Sequence, residues 1–260
     1  MTTGAHPQPY PSPPRRHAPE RGDPGLLAHP VPPASGDFRW VYIWQAPLRA
    51  MHWLAAGSLV LLVVTGFWIG RPWFLPPVET TGSYTVQWMR LLHFVAAAIF
   101  VCTAIVRAYW ALAGNRYERL PALFPIRPRD IKNLFKQVQY YLFINPEKAP
   151  HYLGHNPLQQ LSYTAVYVAA VIMIVTGFAM YGQAEPQGFI RQATAWIAPL
   201  MGGMQNVRFV HHVLTWYFVI FPIMHVYLAV RSDVMEQSGA VSSILTGGKF
   251  VPADEEFVDE

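Results

Sequence analysis

Charge is what this sequence has least of. Asp, Glu, Lys and Arg make up 13% of its 260 residues, roughly half the share of an average soluble domain. That deficit excludes an ordinary water-soluble globule. Cysteine is nearly absent too: Cys102 stands alone inside an apolar run, which excludes a disulfide framework, an iron–sulfur cluster or a thiolate metal site built from this chain alone. Any metal chemistry must therefore use histidine. No basic stripe interleaved with aromatics occurs, so the net charge of +4 reads as a topology signal and nucleic acid is not an expected partner.

What is present is apolar length. A bilayer core takes about 20 apolar residues as a helix, and charge-poor stretches predict spans at about 48–70, 88–113, 157–183 and 207–231. Of the 19 Lys and Arg residues, 15 fall before or at the start of span one, from the end of span two to span three, or at or after the end of span four; the other two connections and their flanks hold 4. The positive-inside rule then puts both termini in the cytoplasm, with membrane lipid around a multi-pass domain at 37–250. Residues 1–36 carry 10 of the 24 prolines and have the composition of a disordered tail. Arg15-Arg16 in that tail lacks the apolar h-region of a twin-arginine signal. Residues 251–260 read as an acidic tail. In "RDIKNLFKQVQYYLF", Ile131, Leu134, Phe135 and Val138 are spaced as the apolar face of a helix lying in the cytoplasmic interface. The outer loop 183–206 carries "GFIRQATAWIAPLMGG", a candidate docking surface for a partner subunit. The ends of spans one and three echo each other, "VVTGFWIG" and "IVTGFAMYG". The expected fold class is all-α, a four-helix membrane bundle.

Five of ten histidines fall on the spans: His52, His93, His211, His212 and His225. A titratable ring in hydrocarbon is costly and points to function, although a hydrogen bond between helices is the plainer explanation for any single one. Their positions are correlated. His211 and His225 are 14 residues apart, which at 100° and 1.5 Å per residue puts them on one face about 21 Å apart in depth. His212 points about 140° away from His225 and reads as the non-ligand of the adjacent pair. Alternate spans run in opposite directions, so His52 shares the inner depth with His225, and His93 shares the outer depth with His211. Two imidazole pairs at two depths are what two six-coordinate b haems require, for electron transfer and not oxygen binding. Gly66, 14 residues after His52, lies at the outer depth, where a missing side chain would admit a haem or simply a neighbouring helix. Arg107, 14 residues after His93, lies at the inner depth, where it would pair a propionate or snorkel to the interface. The rival from another class is a haem-free scaffold or transporter with structural histidines, which an absorption spectrum separates.

The segments "WQAPLRAMHWLAAGSLVLLVVTGFWIG", "LLHFVAAAIFVCTAIVRAYWALAGNRY", "GHNPL" and "HHVLTW…HVYLAVRSDVM" closely resemble the b-type cytochrome subunit of membrane-bound uptake nickel–iron hydrogenases, from about Val41 to Phe250. The resemblance implies that His52, His93, His211 and His225 ligate two haem b irons. It implies as partners a hydrogenase small subunit with iron–sulfur clusters and a large subunit with the nickel–iron centre, both at the outer face of the inner membrane. It further implies quinone as electron acceptor near the start of span three, which maps to His155, Asn156 and Gln159. Asn156 followed by Pro157 also reads as a plain helix N-cap. Hydrogen cleavage itself would belong to the partner, and this chain would conduct its electrons. The same histidine spacing is shared with gamma subunits of formate dehydrogenases, the alternative within this architecture; a neighbouring gene for a cluster-bearing small subunit would favour hydrogenase.

Overall fold

The structure, a computed structural model, describes residues 38–74, 84–142, 144 and 150–260; the proline-rich segment expected at 1–36 lies outside them. A short strand β1 (Phe38–Tyr42) leads into α1 (Ala46–Gly70) and α2 (Thr85–Ala113). Two smaller helices, α3 (Leu120–Leu123) and α4 (Pro128–Tyr141), precede α5 (Pro157–Tyr181). Short helices α6 (Phe189–Thr194) and α7 (Ile197–Leu200) then lead to α8 (Met204–Glu236), α9 (Ala240–Thr246) and strand β2 (Gly248–Pro252). The four long helices α1, α2, α5 and α8 have the length and hydropathy to cross a membrane.

Their packing is that of a lipid-facing bundle. Bulky apolar side chains lie bare on the outside, such as Val60 at 63% exposure, Ile105 at 65% and Leu112 at 67%. The buried positions are small or hydroxylic: Ala96, Ala169, Ala170, Ala179, Ser58, Thr65, Thr103 and Thr176. Small residues let helix backbones approach where lipid tails remove the hydrophobic drive between helices. Helix α1 packs along α2 and α5 along α8, with a lesser contact between α1 and α8. Pro222 lies inside α8 and supplies no N–H to the preceding turn.

Strands β1 and β2 pair antiparallel from Phe38↔Pro252 to Tyr42↔Gly248, so the described chain ends meet at one end of the bundle, here the terminal end. Gly247 adopts φ +98°, and a Cβ there would lie 2.5 Å from Tyr42 and 2.9 Å from the Trp44 carbonyl oxygen; only glycine fits that turn. The segment expected as an acidic tail is docked. Both Asp259 oxygens accept from the loop before α5, from Leu153 N at 2.7 Å and Gly154 N at 2.8 Å. Glu260 pairs with Arg39, and Val258 N donates to the His151 carbonyl. Acidic composition suggested solvation, but these carboxylates meet unpaired backbone N–H groups and a cation. Helix α4 turns Asp130 and Gln137 inward and leaves Ile131 and Phe135 bare, the disposition of an interfacial helix.

Candidate functional site

The terminal-end level is built by α1 and α8. His52, early on α1, and His225, late on α8, face each other with ring centroids 6.4 Å apart and planes tilted by 51°. Phe221, one turn before His225, stacks on it at 5.6 Å, and Trp53 meets His52 edge-on. His52 Nδ1 is buried without a hydrogen-bond partner among the described residues. A file of rings runs outward from this pair: Tyr163 lies 6.1 Å from His225, His155 4.8 Å from Tyr163, and Trp44 4.8 Å from His155. Arg107 donates through Nη2 to the Glu118 carbonyl at 3.2 Å and lies over the Tyr167 ring. Its Nη1 is buried with no partner among the described residues.

The opposite, loop-end level is built by α1, α2, α5 and α8. His93 near the start of α2 and His211 near the start of α8 are close enough to interact electrostatically. Each ring meets a Thr-Gly pair on the helix that packs against it. Thr65 Oγ1 is 2.9 Å from His93 Nδ1, and a Cβ on Gly66 would come to 3.3 Å from His93 Cε1. Thr176 Oγ1 is 2.9 Å from His211 Nδ1, and a Cβ on Gly177 would come to 3.5 Å from His211 Cε1. Gly66 thus makes room for the imidazole of His93. His212 is exposed, beside Phe67 and Gly70.

Residues of the start of α5 divide. Asn156 and Gln159 form a reciprocal capping box: Asn156 Oδ1 accepts from Gln159 N, and Gln159 Oε1 accepts from Asn156 N, both at 3.0 Å. Their oxygens are occupied, which leaves the amide NH₂ groups as donors; that of Asn156 meets Tyr141. His155 keeps a buried, unpartnered Nδ1. Burial first, then the cations Lys249 and Arg107, push its pKa down to about 3, so the ring is neutral. Gln160, which sequence reasoning passed over, is buried, donates to the His155 carbonyl at 3.0 Å and has an unpartnered Oε1. A cleft of about 280 Å³ reaches His155 and Gln160 between Tyr117, Tyr152, Arg116 and Arg127. Glu118 is also new: fully buried, its carboxylate accepts from Gln45 N at 2.6 Å and Trp110 Nε1 at 2.8 Å.

The donor set fits haem. Two imidazoles bound to one metal from opposite sides, at about 2 Å per metal–nitrogen bond, have centroids roughly 6 Å apart, as His52 and His225 do. Among the described residues no three His, Cys, Asp or Glu side chains converge as a metal site. Paired imidazoles suffice when a macrocycle supplies the other four ligands.

Residues 43–247 match the family described as prokaryotic cytochrome b561. The chain is 39% identical over 218 residues to the "Probable Ni/Fe-hydrogenase B-type cytochrome subunit" of Azotobacter chroococcum mcd 1, covering 82% of this chain and 90% of that protein. The protein of the same name from Cupriavidus necator is 37% identical over 82% of this chain and 89% of its own length. The "Probable Ni/Fe-hydrogenase 1 B-type cytochrome subunit" of Escherichia coli K12 is 32% identical over 79% of this chain and 89% of its own.

Proposed function

The chain belongs to the prokaryotic cytochrome b561 family, and from that membership we propose that it is the membrane subunit that conducts electrons from a nickel–iron hydrogenase to quinone. The observation that carries this reading is the placing of His52 opposite His225 and His93 beside His211 at two levels of one four-span bundle. His52 and His225 hold one haem b, and His93 and His211 hold the other. Held by two histidines, each haem would supply one-electron transfer. Arg107, with a buried unpaired Nη1, receives a propionate at the terminal-end level.

The names borne by the relatives support a hydrogenase as the electron source; its small subunit, with the large subunit beyond, docks at the loop end. There Phe189, Trp196 and Leu200 of the 182–203 connection stand bare. The terminal end faces the cytoplasm of the inner membrane, as the basic residues of the connections indicate. Quinone is reduced on that side, at His155 and the NH₂ donors of Asn156 and Gln159, which suit quinone carbonyl oxygens. Protons for the reduced quinone come from the cytoplasm, and the Trp44, His155 and Tyr163 rings form a contact chain to His225.

A pyridine haemochrome assay on the intact complex tests the reading. Two haems per chain are expected; His211→Ala should lose one and His212→Ala neither. One haem in the parent, or retention of both in His211→Ala, overturns the ligand assignment.

A further inference from the structure

The Thr-Gly echo at the ends of α1 and α5 has a geometric content that the ligand set leaves unused. Thr65 Oγ1 lies 2.6 Å from the Leu61 carbonyl oxygen, and Thr176 Oγ1 lies 2.7 Å from that of Ile172. A carbonyl only accepts, so each hydroxyl spends its single proton on its own helix. Toward the histidine it then presents lone pairs alone, 2.9 Å from His93 Nδ1 and 2.9 Å from His211 Nδ1. The carbonyls of Leu62 and Met173, one residue further along each helix than Leu61 and Ile172, also lie against the His93 and His211 rings. Facing a hydroxyl whose proton is already spent, Nδ1 of each ring carries the proton, which leaves the Nε2 lone pair for a metal. The two sites repeat atom for atom on different helix pairs. The terminal-end level is built otherwise, since His52 Nδ1 is buried with no partner among the described residues.

We infer that Thr65 and Thr176 are positioning residues that fix His93 and His211 as Nε2 ligands and hold the loop-end haem at a lower reduction potential than the terminal-end one. This rests on the proposed haem ligation. A hydrogen bond accepted from Nδ1–H makes the imidazole a stronger electron donor, and a stronger donor favours the ferric over the ferrous iron. Two such bonds at one level, and a buried unpartnered nitrogen at the other, order the two potentials. Electrons entering at the loop end then run downhill toward His52 and His225.

The test is an optical redox titration of the full chain in its complex, with electron paramagnetic resonance of the oxidised haems. Thr65→Val and Thr176→Val keep the shape of the side chain and remove the acceptor. Both haems should remain bound, the lower of the two potentials should rise, and only one low-spin signal should shift. A tenfold loss of preference for the ferric ion corresponds to about 59 mV for one electron. Thr65→Ser and Thr176→Ser should restore the parental values, which a packing role would not require. If the double valine variant sheds haem, either single variant carries the test with a smaller rise. Movement of the higher potential, movement of neither, or serine variants that behave like valine overturns the inference. The ligand reading fails separately, when His93→Ala keeps both haems.

Discussion

Glu118 and His155 are polar groups whose burial sets their chemistry. Glu118 gathers the Gln45 amide and the Trp110 indole N–H around a fully buried carboxylate. Removing the acceptor leaves both donors unpaired, at about 1–3 kcal/mol each. Glu118→Ala should therefore lower stability by about 3 kcal/mol, read as an earlier thermal transition in detergent; an unchanged transition would show that water replaces the carboxylate. His155 carries a prediction in pH. Its folded pKa lies at about 3, depressed by burial and by Lys249 and Arg107, against about 6.5 in the unfolded chain. The unfolded state thus binds the extra proton, and stability present above about pH 6.5 is lost as pH falls toward 3, at about 1.4 kcal/mol per pH unit. His155→Phe, which keeps a ring between Trp44 and Tyr163, should flatten that part of the stability profile. An identical slope in parent and variant would assign the acid sensitivity elsewhere.

At the scale of elements, the start of α5 must serve as a helix terminus and, in the proposed function, as a quinone site. The two roles use different atoms of the same residues: the oxygens of Asn156 and Gln159 cap the helix, and the amide nitrogens, of which that of Asn156 also meets Tyr141, are the donors. Asn156→Asp keeps an equally good cap but replaces the NH₂ donor, so hydrogen-dependent quinone reduction should fall while stability and haem content hold. Asn156→Ala should in addition cost about 1 kcal/mol of stability. Parental quinone reduction in the Asp variant would leave the capping box as the whole role of this residue. The spans themselves were legible because freedom from charge over 20 or more residues is a local signal. So was the depth of each histidine, because helical geometry converts spacing into position. The Thr-Gly echo was visible as a repeat, yet its meaning was not: Thr65 and His93 are 28 residues apart on different helices, and nothing periodic links them. Glu118, Gln160 and the docked segment at 253–260 escaped for the same reason, since polar residues in connections and in the first turn of a helix read as solvated until their partners are placed.

For the whole molecule, the loop-end and terminal-end surfaces make opposite demands. The 182–203 connection presents Phe189, Trp196 and Leu200, whereas the terminal end is knit together by the β1–β2 pair, Glu118 and the Asp259 contacts. Crosslinkers placed at Phe189 or Trp196 should therefore capture the hydrogenase small subunit, and those placed in 114–127 should not. Capture only from 114–127 would invert the proposed topology.

Helix α8 holds His211 and His225 on one continuous rod, so it contributes to both levels, whereas α1 and α2 contribute one histidine each. Seen as an order of manufacture, the proposed ligation makes the last long helix to leave the ribosome the one on which both haem sites wait. A nascent chain that has already inserted α1, α2 and α5 owns half of each binding site and the whole of neither. Under that ligation maturation is tied to completion: a chain stopped before Met204 should enter the membrane colourless, so that a partly built subunit would hold no redox group from which to leak electrons.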